Sequence, residues 1–122
     1  MEAQTREHEN VVILDLTGPL VAGVGDKILR QSMNELVVEG WEKILLNLSK
    51  VSRIDSTGIG ELVASIKMAK RFGSTVRLVE ISQQVRHILD LSRILPLLDF
   101  YEDEEEALKW SSEKAAEDDS PE

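Results

Sequence analysis

No cysteine occurs among the 122 residues, which excludes a disulfide framework, a thiolate metal site and a cysteine nucleophile. Histidine is nearly as scarce: His8 and His87 are the only two, and they lie at no spacing that would share a metal ion. No metal and no cofactor is expected. No apolar run approaches the roughly 18 to 20 residues of a membrane span. Basic charge is short as well, since the net charge is -9, whereas binding to a phosphate backbone runs on clustered lysine and arginine. Nucleic acid and membrane are therefore not expected partners. The opening stretch MEAQTREHENVV is polar and acidic where a secretory signal would be basic and then apolar, so a soluble, cytoplasmic protein is expected.

The acidity is local. Residues 102–122 hold ten acids and two lysines, a net -8, and the chain before them carries only -1. Such a run reads as a solvated helix end followed by disorder. It divides the chain into a folded domain over residues 1–110 and an acidic, disordered tail over residues 111–122. A chain of this length buries roughly two-thirds of its unfolded surface in one core.

Along that domain the hydrophobic period alternates. NVVILDLT, residues 10–17, is a β-branched run closed by Gly18 and Pro19, and it predicts a strand. From Asp26 to Val38 the apolar residues Leu29, Met33, Leu36 and Val37 fall on one helical stripe, with Gly40 at the stop. KILLNLS, residues 43–49, is apolar on successive positions, as in a strand covered on both faces. Ile59, Leu62, Val63, Ile66 and Phe72 mark a second helix that ends at Gly73, and TVRLVE, residues 75–80, a third strand. Residues 82–94 predict a helix capped by Ser82 and stopped by Pro96, LLDFY at 97–101 a short last strand, and DEEEALKW a final helix with acids in its first turn. Alternation with short connections predicts an α/β fold in one domain: a mostly parallel sheet of about four to five strands, with about four helices packed mainly on one face. Lys67, Lys70 and Arg71 have no interleaved aromatic and read as a solvated face; Trp41 and Trp110 read as packing residues at helix ends.

The segment IDSTGIGEL, residues 54–62, falls where the second of these strands turns into a helix. Backbone amides are unpaired there and the helix dipole is partly positive, a position that suits an anion. One reading is structural: Asp55, Ser56 or Thr57 caps the helix while Gly58 and Gly60 relax the turn. Catalytic readings fit less well. A nucleophile elbow wants glycine two positions before the serine, where Ile54 stands. A triad would have only His87, on a predicted surface helix, as its base. A dinucleotide fingerprint would want a third glycine where Val63 stands. No enzymatic activity is expected.

Leu16, Thr17 and Gly18 after the first predicted strand, ILLNLSKV before the motif, and IDSTGIGEL with a helix behind it resemble the STAS family, named for sulfate transporters and anti-sigma factor antagonists. The resemblance spans most of residues 10–110 and implies a small α/β domain acting in partner switching. Unphosphorylated, such a domain binds an anti-sigma factor with serine kinase activity and so frees a sigma factor. Phosphorylated, it lets go, and a PP2C-type phosphatase resets it. By position Ser56 would carry the phosphate, with Thr57 as a neighbour that shapes the turn or a minor site. Asp55 would hold the loop and meet the kinase, and Asp55, Thr57, Gly58, Ile59, Gly60 and Glu61 would form the partner surface. Glu61 and the loop from Val21 to Lys27 are expected at the same end of the sheet, where loops following parallel strands gather. The protein itself would be a monomer or weak dimer.

One stretch departs from the family. Many members continue the first strand as Leu-Thr-Gly-Glu-Leu-Asp, whereas this chain has Pro19 and Val21 in place of both acids. The departure keeps an alternative open: an unswitched STAS scaffold or accessory subunit of a stress-sensing or lipid-transport complex.

Overall fold

A computed structural model describes residues 1–113. The sequence pattern predicts no strand before Asn10, yet the chain forms one: β1 (Glu2–His8) runs antiparallel to β2 (Val11–Leu20), from Glu2 opposite Thr17 to His8 opposite Val11. EAQTREH lacks apolar alternation because β1 is an edge strand, exposed along most of its length and held by backbone pairing. Glu9, with φ at 55°, turns the chain back into β2.

The remaining elements are α1 (Gly25–Val38), β3 (Lys43–Ile54), α2 (Ser56–Arg71), β4 (Thr75–Val79), α3 (Gln83–Leu91), β5 (Phe100–Tyr101) and α4 (Glu104–Leu108). The strands lie in chain order, and β2 through β5 are parallel. Several boundaries differ from expectation: β2 runs on through Gly18 and Pro19, where the sequence predicts a turn, to Leu20, and α4 is shorter than the expected helix over residues 103–110. β3 runs on past Ser49 to Ile54 because it keeps pairing with β2 through two register shifts. α3 stops at Leu91, short of Ile94, and the chain turns at Arg93 with φ at 59°. LLDFY yields only a two-residue strand, since Leu95–Leu97 form a 3-10 turn.

Alternation within β2 and β3 divides the core. Val12, Leu14, Leu16, Ile44, Leu46 and Leu48 point to one face and meet Leu29, Met33, Leu36, Leu62, Ala69, Val85 and Leu89 from α1, α2 and α3. Each of the Val, Leu, Ile and Met side chains among them, fully buried, contributes about 1.5–3 kcal/mol. Val11, Ile13, Leu45 and Val79 point to the other face, where Ala107 of α4 and Trp110 cover them. The helices thus pack mainly on one face, with a short cover on the reverse.

That cover is tied down by charge. The Lys43 ammonium, buried at the start of β3, donates to the carbonyls of Trp110 at 2.7 Å and of Glu113, and the Arg77 guanidinium lies 4.3 Å from the centre of the Trp110 ring. Ser111 and Ser112, at the start of the expected tail, belong to a 3-10 turn (Lys109–Ser112). The rest of that tail, residues 114–122, lies outside the described residues.

Candidate functional site

β3 ends at Ile54 and α2 begins at Ser56, leaving Asp55 between them with extended backbone. An ionised carboxylate at this position accepts orphan amides of the first turn. Asp55 accepts from the Gly58 amide at 2.8 Å and from the Ala22 amide, in the loop after β2, at 3.1 Å. The Gly58 contact first, and Ala22 next, hold its pKa below the usual carboxylate range. Asp55 is therefore the cap of α2, and neither hydroxyl of the motif is needed for it. Ser56 and Thr57 are exposed, and their side chains make no hydrogen bond among the described residues.

Gly58 does more than relax a turn. A Cβ there would lie 2.0 Å from the Leu20 carbonyl oxygen and 2.9 Å from Ile54 Cγ1. Gly25 is equivalent in α1, where a Cβ would lie 2.5 Å from the Pro19 oxygen. Both helices thus start in close contact with the end of β2, which only a residue without a side chain permits. Gly60 has nothing within 4 Å of its would-be Cβ and is exposed.

The loop after β2 completes the rim. Ala22, Gly23 and Val24 are exposed, and the buried Asp26 carboxylate accepts from the Gly23 amide at 3.0 Å, which fixes the loop's shape. The bond from Ala22 to Asp55 places this loop at the same end of the sheet as Ser56, as expected. Pro19 and Val21 are half-buried beside it.

Not every residue of the expected partner surface faces outward. Ser56, Thr57 and Gly60 are exposed, Asp55 and Ile59 half-buried, and Gly58 and Glu61 buried. Glu61 is used inside the protein: its carboxylate accepts from Arg30 Nε at 2.9 Å and Nη2 at 2.8 Å, and from Ser65 Oγ at 3.1 Å. Glu61 in turn raises the pKa of Arg30. Sequence reasoning missed Arg30, because it lies 31 positions from Glu61 and no local period connects them.

Chemically, the arrangement presents a free serine hydroxyl on a rigid turn beside a fixed negative charge. No group of three or more histidine, aspartate and glutamate side chains that could hold a metal is found among the described residues. None of the described helices is long and apolar enough to cross a membrane. His87 is exposed on α3, remote in sequence and on a different element from the serine.

Fold and turn together define a mixed-sheet α/β domain that displays an uncapped hydroxyl pair at a strand-to-helix junction. The chain belongs to the STAS domain family, whose model matches residues 2–107. An anti-sigma F factor antagonist of Paenibacillus polymyxa is 24% identical over 108 residues, 88% of this chain and 92% of that protein. The crystal structure of TM1081 from Thermotoga maritima superposes with a TM-score of 0.80 at 25% identity, covering 91% of this chain and 95% of the other. The Bacillus cell fate determinant SpoIIAA, solved in its phosphorylated form, superposes with a TM-score of 0.65 at 21% identity over 88% of this chain and 97% of that one.

Proposed function

We propose that this protein is an anti-sigma factor antagonist of a partner-switching pathway. Unphosphorylated, it binds an anti-sigma factor with serine kinase activity through the rim formed by Ser56, Thr57, Gly60 and the loop at Ala22–Val24. Phosphorylation of Ser56 releases it, and a PP2C-type phosphatase restores it. The protein acts by binding and not by turnover, in the cytoplasm. The observation that carries this reading is the free, exposed Ser56 hydroxyl next to Asp55, which does the capping in its place.

The physical logic is electrostatic. A phosphate adds about -1.5 to -2 charges and three acceptor oxygens to one exposed place. Asp55 already holds one amide of the turn and one of the loop after β2, so the phosphate projects outward as a second anion at the rim. Weakening a complex a thousandfold requires about 4 kcal/mol of differential affinity, which repulsion from a partner carboxylate and an unpaired buried phosphate supply. Glu61 and Gly58 support this surface from beneath: one ties α2 to α1, the other seats α2 on β2.

Pro19 and Val21, which stand where many family members have acids, favour a second reading: a STAS scaffold or accessory subunit that binds proteins without being switched. Incubation with ATP, magnesium and each serine kinase of the source genome, followed by intact-mass and peptide mapping, separates the two. One phosphate on Ser56 supports the switch. None on Ser56 or Thr57, with a kinase active on another substrate, supports the scaffold.

A further inference from the structure

At the opposite end of α1 and α2 from Ser56, the two helices expose apolar side chains to water. Val38 is 86% exposed and Phe72 65%, and with Asn34, Val37 and Met68 they line an open groove of about 340 Å³. α2 has 16 residues, so this groove lies about 24 Å along the helix from the serine. It is therefore separate from the Ser56 rim.

The exposed charges along this half of the two helices are sorted by helix, since α1 carries only Glu35 and Glu39 there and α2 only Lys67, Lys70 and Arg71. Glu35 and Glu39 are exposed on α1; Lys67 and Arg71 are exposed on α2. None of the four forms an ion pair among the described residues: Glu35 and Glu39 accept only from the neutral Gln31 and Trp41 side chains. The two helices run in the same direction, each returning from one parallel strand to the next. Arg30 meets Glu61, and Val38 shares the groove with Phe72, so Glu35 and Glu39 stand at about the height of Lys67 and Arg71.

We infer that this groove is the contact surface for a second copy of the chain, paired about a two-fold axis lying along the groove. Such an axis keeps height and exchanges sides. It lays α1 of one copy on α2 of the other, sets Glu35 and Glu39 opposite Lys67 and Arg71 twice over, and closes Val38 of each copy against Phe72 of the other. An axis across the groove would lay α1 on α1 and oppose acid to acid, so charge selects the first arrangement. Isologous pairing of this kind is the commonest closed assembly. Residues 1–101 carry a net charge of only -1, and the acids of α4 lie on the opposite face of the sheet from α1 and α2.

Sedimentation equilibrium of the full chain over a hundredfold range of concentration tests this, with circular dichroism to check that each variant is folded. The wild type is expected to approach dimer mass as concentration rises. Phe72→Glu, Glu35→Lys and Lys67→Glu, all at exposed positions, should each weaken dimerisation about tenfold or more. Mixing Glu35→Lys with Lys67→Glu restores opposite charges at both symmetric contacts and should return the dimer. A wild type that stays monomeric throughout, folded variants that dimerise unchanged, or a mixture no better than its components overturns the inference. Loss of binding to another protein by Phe72→Glu in a monomeric wild type would assign the groove to that partner instead.

Discussion

The Asp55 carboxylate and the Ala22 amide meet at 3.1 Å across 33 positions of sequence, and that bond joins the two halves of the Ser56 rim. The loop after β2 and the first turn of α2 are therefore one rigid surface. Asp55→Ala should lower the melting temperature and loosen the loop, seen as faster amide exchange at Ala22 and Gly58. Asp55→Asn, which keeps one acceptor oxygen, should do so less. Because the folded pKa of Asp55 is depressed, its contribution is present above the ordinary carboxylate value and fades as pH falls through the folded one. Asp55→Ala should flatten that part of the acid limb; an unchanged limb would count against the cap.

Gly58 and Gly60 differ by two positions and should respond in opposite directions. A methyl group at Gly58 overlaps the Leu20 carbonyl, so Gly58→Ala should cost about 3 kcal/mol. At Gly60 the space is open, and Gly60→Ala should stabilise α2 by about 0.5–1 kcal/mol. Urea denaturation of both variants checks the pair, and equal effects would mean that α2 does not seat on β2 as described.

Ser56→Asp should abolish binding of the kinase partner while leaving thermal stability close to that of the wild type, because the side chain is exposed and unbonded. Thr57→Asp should weaken binding less. Titration calorimetry against the cognate partner gives the comparison, and retained binding by Ser56→Asp would move the protein to the scaffold reading.

Arg6 bridges β1, β2 and α4: its guanidinium donates to Asp15 at 2.6 and 2.8 Å and to Glu104 at 2.9 and 2.6 Å. The bond from Arg6, more than the one from Asn47, holds the Glu104 pKa below its usual value. The stability it supplies is therefore present above the ordinary glutamate pKa and lost as pH falls through the folded one. Arg6→Met should weaken the protein at neutral pH and narrow its difference from the wild type in acid. A constant difference at all pH values would remove the ion pair from the account.

Trp110 is 1% exposed on the reverse face, and its Nε1 has no hydrogen-bond partner among the described residues. Trp110→Ala should cost about 3–5 kcal/mol through the cavity over Ile13, Leu45 and Val79. Trp110→Phe keeps most of the packing and removes the unpaired donor, so it should cost distinctly less. Guanidinium unfolding curves of the two variants make the test.

Local pattern was enough to read the strand, helix, strand alternation from Asn10 to Tyr101, because β2, β3 and β4 are buried on both faces and α1 and α2 on one. It was not enough for β1, whose polar residues carry no apolar period; that strand exists because β2 offers it an unpaired edge. Ser82 illustrates the same limit. It precedes α3 as a cap should, but its hydroxyl donates to the Val51 carbonyl at 2.8 Å and ties α3 to β3.

For the site, the residues from Asp55 to Glu61 by themselves determined where a helix begins after a strand, and that several polar side chains compete for one cap. Tertiary structure alone decided the competition. Ala22 comes within reach of Asp55, Leu20 closes over Gly58 and Arg30 draws Glu61 inward, leaving Ser56 and Thr57 outside. Those partners lie 31 to 38 positions away, brought together by the parallel pairing of β2 with β3. Propensity acts over a turn or two of chain, whereas a hydrogen bond or a close approach depends on which distant segment the sheet sets beside it.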